Sequence, residues 1–255
     1  GFDQRTPVQT GFAPGTVLVE LTGNAADATV DPGGNLPEAI RVNASGQLTV
    51  RVPRNASHGK GYVVYGLATP QGTLSLTNVA QVLPGTTPTA NTNGTARLAD
   101  IDVITADSFS VQLTTTPVTL PAPMGELDPV RDVHADGGRA LIRINDGMDI
   151  NGIAGIDHVT PGSTDYGFEQ FTTQNSPGYE WNGSANVGTG FGTFAQTIDT
   201  TQLAEGRHHI TVRAFRNRDA AMGGDGGPEV FTDFKRTIYV DRLPPESELA
   251  SFDPF

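Results

Sequence analysis

At 255 residues the chain is long enough for one or two domains with substantial cores. Its 28 Asp and Glu against 16 Lys and Arg give a formal net charge of −12, a field that repels phosphate backbones and argues against nucleic acid as a partner. There is no cysteine, which removes disulfides, thiol catalysis and Cys-ligated zinc, and no run of about 18 apolar residues offers a membrane span.

With 31 Gly and 18 Pro, long helices are disfavoured, because glycine loses backbone entropy and proline blocks a helical hydrogen bond. The expectation is an all-β chain: two antiparallel β-sandwich domains joined by a Pro/Thr/Asn-rich linker. The opening, GFDQRTPVQTGF, has neither a charged n-region nor an apolar h-region, so it reads as part of a longer chain rather than a signal peptide.

Residues 1–83 form the first expected domain. GTVLVEL (15–21) alternates, with Val17, Val19 and Leu21 on one face and Leu18 and Glu20 on the other. Asp31-Pro32-Gly33-Gly34-Asn35 is turn chemistry. In QLTVRVP (47–53) Leu48, Val50 and Val52 share a face. GYVVYGL (61–67) is apolar on both sides, as in a central strand. Between these strands lies His58-Gly59-Lys60-Gly61. A phosphate loop needs an earlier glycine, a Ser or Thr after the lysine and a following helix. None is present, and the stretch is expected to be a hairpin corner.

PGTTPTANTNGTA (84–96) lacks large apolar residues and is the expected linker. The second domain spans 97–245, with strands expected at 98–104, 108–120, 140–144, 209–215 and 231–240. Residues 246–255 are a Pro-rich tail. Within this half, NDGMDINGIAGID (145–157) places Asp146, Asp149, Asn151 and Asp157 on a glycine-broken loop. Calcium takes several hard oxygens from such a backbone. The EF-hand spacing is not met, so Ca2+ and a solvated turn both stay open.

YEWNGSANVGTGFGTF (179–194) holds the single tryptophan. Tyr179 and Trp181 share a strand face, and Asn182 lies beside them. Sugar rings stack on aromatic faces while amides take their hydroxyls. A sandwich core that buries its tryptophan is the alternative. VGTGFGTF (187–194) resembles a dinucleotide-binding glycine string, but no helix pattern follows; Phe191 and Phe194 are expected to be packed or exposed on loops. His58, His134 and His158 are isolated in sequence. His208 and His209 are adjacent on a strand, so they point to opposite faces and do not share a metal. There is no Gly-x-Ser-x-Gly elbow, and no carboxylate pair stands out as catalytic. Asn-x-Ser/Thr sequons occur at Asn43, Asn55, Asn93 and Asn182.

PGTVLVELTGN, GQLTVRVPRN and HGKGYVVYGLATPQG together resemble the β-domain that follows the catalytic barrel in bacterial glycoside hydrolases of the α-amylase class. EGRHHITVRAFRNRD and VFTDFKRTIYVDRLPPES are similar to the immunoglobulin-like or carbohydrate-binding appendages of such secreted enzymes. In that family the catalytic acids lie on barrel strands, and this composition holds no eight-fold βα barrel, so no catalytic residue carries over. The resemblance implies a secreted or cell-surface, non-catalytic region that binds or presents polysaccharide, α-glucan first, beside a fused catalytic domain. The alternative is a structural protein of the cell surface or an extracellular fibre, self-associating through sandwich edges.

Overall fold

The computed structural model describes residues 2–55, 58–77, 101–137, 139–145, 147–148, 167–175, 192–218, 220, 224 and 226–243. It is all-β, with 48% of the described residues in strands and 4% in helix. The strands are β1 (Phe2–Gln9), β2 (Val17–Glu20), β3 (Ala39–Arg41), β4 (Gln47–Pro53), β5 (Tyr65–Gly66), β6 (Gln71–Thr77), β7 (Asp102–Ile104) and β8 (Ser108–Thr116). They continue as β9 (Thr119–Leu120), β10 (Val130–Arg131), β11 (Arg139–Ile144), β12 (Glu169–Gln170), β13 (Thr173–Asn175), β14 (Thr193–Asp199), β15 (Gly206–Phe215) and β16 (Phe231–Val240).

Two sheets form the larger lobe. One has the order β12-β11-β15-β16-β7 and the other β13-β14-β8-β6. They face each other across one core: Phe109, Val111 and Leu113 of β8 and Phe194 and Ile198 of β14 meet Ile142 and Ile144 of β11, Ile210 and Val212 of β15 and Ile238 of β16. The period-two pattern explains this directly, since β8 alternates buried and part-exposed residues along its length. Most pairings are antiparallel, but β7 runs parallel to β16, with Ile238 opposite Asp102.

The smaller lobe consists of short sheets: β3-β2-β5, the β1–β4 ribbon, and the β9–β10 pair. β2 is its central strand, and both of its faces are covered. Val17 joins a cluster with Ala39, Ala68, Val118, Leu120 and Ala135, while Leu18 joins Ile40, Val42, Leu48 and Leu67. The half-buried strand expected at 15–21 is therefore buried on two sides. Conversely, only Tyr65 and Gly66 of the expected central strand GYVVYGL pair as strand, and Tyr62 and Val64 are about half exposed, at 55% and 50%.

Residues 58–61 form a polar corner but not the expected hairpin, because β4 before it pairs with β1 and β5 after it pairs with β2. His58 Nδ1 accepts the Lys60 N–H at 2.9 Å, and Lys60 Nζ donates to Asp27 at 2.6 Å. Gly59 has φ +69, and a Cβ on Gly61 would lie 2.9 Å from the Asn55 backbone, so both glycines are required by geometry. Asp31 builds the expected turn: its carboxylate accepts the N–H groups of Asn35 and Leu36 at 2.8 and 2.6 Å.

The two lobes do not follow the order of the chain. β6, which precedes the expected linker, is the edge strand of the four-stranded sheet, with Leu74 opposite Leu113 of β8. Residues 117–136, which follow that linker, pack onto the smaller lobe: Met124 N–H donates to Ala39 O at 2.9 Å, and Arg41 grips Glu126 at 2.6 and 2.7 Å. Residues 84–96 and 246–255 lie outside the described residues.

Candidate functional site

The junction of the lobes is tied by charge. Arg216 follows β15 and reaches back across the junction, donating to Asp132 at 2.6 Å and to Ala68 O at 3.1 Å. Both side chains are over nine-tenths buried, so the pair is desolvated and each charge depends on the other. Asp132 also caps a 3₁₀ turn over Val133–Ala135 by accepting the His134 N–H. The neighbouring Arg131 clasps the fully buried Asp136, whose carboxylate also accepts the Val118 N–H at 3.1 Å. Asn217 N–H donates to His134 O at 2.8 Å.

Beside this network lies a cleft of about 420 Å³. Val17, Leu120 and Val130 supply apolar wall, and Arg131, His134 and Asn217 supply polar groups. Arg41 is at its rim. The Glu126 carboxylate beside it holds the guanidinium charged, raising its pKa, while Arg41 lowers that of Glu126. One apolar wall with a few convergent polar groups, at a lobe junction, is a common setting for a small-molecule or sugar ligand.

The outward face of the five-stranded sheet is a second candidate. Registration of β11, β15 and β16 places Arg143 opposite Thr211, Thr211 opposite Lys235, and His209 opposite Thr237. These residues and Asn145 line an open groove of about 640 Å³. At its far end arginines and aromatic rings interleave. Arg139 lies 4.6 Å from the Phe215 ring centroid, Arg143 and Arg213 each lie 4.6 Å from that of Phe168, and Arg213 lies 3.6 Å from that of Phe231. Arg213 also forms a two-point contact with Asp233, at 2.7 and 3.0 Å.

Asn145 shapes one end of the groove. It has φ 50, a left-handed backbone that a non-glycine residue adopts only when held there. Its N–H donates to His209 O at 2.8 Å, and its side-chain oxygen accepts the His209 N–H at 3.0 Å. Its amide nitrogen lies 2.9 Å from His208 Nδ1, and His208 Nε2 lies 2.8 Å from Ala204 O. Because the carbonyl only accepts and the amide NH2 only donates, His208 carries its proton on Nε2. His208 is buried and His209 exposed, on opposite faces of β15 as their adjacency requires.

Tyr179, Trp181 and Asn182, and likewise Asp146, Asp149, Asn151 and Asp157, lie outside the described residues. Among the described residues no three His, Asp or Glu side chains gather around one point. Of the two alternatives for Phe194, packed or exposed on a loop, the structure shows the packed one, fully buried on β14; Phe194, Gln196 and Ile198 alternate inward, a strand signal that the preceding glycines obscured. The cleft was not legible, since its walls come from residues 13–41, 120–134 and 216–224. The outward face left a trace in the alternation of Arg207, His209, Thr211 and Arg213, but the sequence does not reveal which strands lie beside them. Comparison with protein-family models, curated proteins and solved structures finds no match to this chain.

Proposed function

We propose that the chain is a non-catalytic, secreted or cell-surface module that binds polysaccharide, α-glucan first, in support of a carbohydrate-active partner domain. The observation that carries this reading is the junction cleft. Its volume suits one or two sugar rings, its wall is apolar where ring C–H faces would lie, and its polar groups converge from both lobes. In this reading the two expected domains are lobes that exchange segments, with β6 in the larger lobe and residues 117–136 on the smaller, and Tyr179, Trp181 and Asn182 offer an additional aromatic platform. A calcium ion on Asp146, Asp149, Asn151 and Asp157 would brace the segment that follows β11 in the sequence.

Affinity electrophoresis in soluble starch or glycogen tests the proposal, with retardation as the expected result. Thr16 lines the cleft, and its backbone N–H and C=O are engaged with Ala13 and Val42, so Thr16→Trp fills the cleft without breaking those bonds. Loss of retardation in Thr16→Trp assigns binding to the cleft; loss in Trp181→Ala alone moves it to the aromatic platform. Unchanged mobility of the parent protein across a polysaccharide panel refutes the reading.

A second reading, assembly through strand edges, rests on β1. Among the described residues this eight-residue strand pairs with β4 alone, and it is exposed along nearly all of its length, an arrangement open to pairing with another chain. Light scattering over a concentration series separates the two readings, because a persistent monomer removes the second.

A further inference from the structure

Thirteen side chains of β11, β15 and β16 alternate outward on the five-stranded sheet, given the registers above. Five are Lys or Arg: Arg139, Arg143, Arg207, Arg213 and Lys235. That is five of the chain's 16 basic residues on one sheet face, in a protein of net charge −12. Asp233 is the one carboxylate among those outward positions, and Arg213 already engages it at two points. Arg207 and Lys235 are exposed and form no ion pair among the described residues. Arg139, like Arg213, pairs with a carboxylate, that of Glu229, whereas across the β15–β16 ladder Lys235 faces Thr211 and Arg207 faces Tyr239 rather than a carboxylate.

We infer that this face binds an anionic polysaccharide, one whose sugars carry carboxylate or sulfate groups. Charge complementarity supports an anion, since the groove is lined by hydrogen-bond donors: Arg143, His209, Lys235, and the amide and hydroxyls of Asn145, Thr211 and Thr237. Shape supports an extended polymer. The groove is open, and β15 and β16 each run ten residues, or about 33 Å at roughly 3.3 Å per residue. Outward residues i and i+2 stand about 6.6 Å apart along a strand, so Arg207 and His209 on β15, with Lys235 opposite Thr211 on β16, form a row that can follow repeating charges. Exposed Phe231 and Tyr239 supply apolar surface for ring faces, which distinguishes a glycan from a simple polyanion. A duplex nucleic acid would bring its phosphates against the acidic remainder of the molecule.

This site is separate from the junction cleft and differs in ligand chemistry from a neutral α-glucan. The test uses the whole chain and polygalacturonate as the anionic probe, with pullulan as the neutral control, in isothermal titration at 50 mM and 300 mM NaCl. Binding to polygalacturonate is expected, together with a marked loss at the higher salt, because exposed charge contacts are screened. The double variant R207E/K235E should weaken it about tenfold or more, with each tenfold equal to about 1.4 kcal/mol. R207Q/K235Q should show a smaller loss, and both are expected to fold because these side chains have no ion pair to lose among the described residues. Thr16→Trp should leave polygalacturonate binding unchanged, whatever it does to starch. The inference is overturned by no heat with polygalacturonate at 50 mM NaCl, by binding that R207E/K235E does not weaken, or by equal or tighter binding of poly-dT or polyglutamate at the same face. Retention of starch alone would leave the proposed function standing and this face without its ligand.

Discussion

The two lobes are built by different means. In the larger, sixteen buried residues from both sheets form one contiguous core, and long strands let simple alternation deliver each side chain to it. In the smaller, β2, β3 and β5, of two to four residues, and the seven-residue β4 feed two separate, smaller clusters. Buried polar anchors accompany them. Asp31 organises the 31–36 turn, Asp136 holds Arg131 and the Val118 amide, and Asp132 holds Arg216. Where strands are short, desolvated carboxylates act as the joints of the fold. They do so next to the cleft, so the same groups that join the lobes also shape the candidate site.

The largest expected effect tests the sandwich half of this comparison. Phe194 is fully buried and packs with its ring centroid 5.8 Å from that of Phe171. Phe194→Ala should cost about 3–5 kcal/mol in denaturant unfolding, through lost transfer energy and the cavity left behind. A loss below about 1 kcal/mol would mean that the sheets do not share a tightly packed core.

The next tests the joints. Asp132→Ala strands the Arg216 guanidinium in a buried setting, which typically costs about 3 kcal/mol or more. Replacing both partners, as D132L/R216M, should recover much of that loss, because an apolar pair needs no compensation. In the sandwich, the corresponding cycle on the part-exposed Arg213–Asp233 pair should give a coupling of only about 1 kcal/mol or less. Equal couplings at the two pairs would erase the distinction between the lobes.

The smallest effect is at the surface of the smaller lobe. The hydrogen bond from Lys60, helped by the Thr29 amide, lowers the Asp27 pKa from 3.8 to about 2. A depressed carboxylate pKa stabilises the fold above the unfolded value, and that contribution disappears as pH falls through the folded value. The window is therefore from near pH 4 down to about pH 2. NMR titration should place the Asp27 midpoint near 2, and Lys60→Met should return it toward 3.8. An unmoved midpoint in that variant would assign the shift to the turn amides rather than to the lysine.

Local chemistry made some of this readable in advance. QLTVRVP and FTDFKRTIYV are strands over the expected residues, because alternation in a half-covered strand is written into consecutive positions. The DPGGN turn was equally legible, since aspartate and glycine set their own backbone geometry within a few residues, but the hairpin expected at 58–61 is not formed, because β4 pairs with β1 and β5 with β2. β1 was not, because FDQRTPVQ has no buried face and pairs only through its register with β4. β2 misled for a related reason: alternation predicts one covered face, but residues 117–135 bring a second layer onto it.

The sequence by itself determined the all-β class, the main strands of the sandwich and the separation of His208 from His209, all consequences of a two-residue period acting along the chain. Only the tertiary structure decided which strands are neighbours, and with that came the joining of the lobes, the cleft and the basic outer face. Arg216 meets Ala68 across 148 residues and Asp132 across 84. Contacts at such separations depend on chain crossings and strand order, and no local pattern records them.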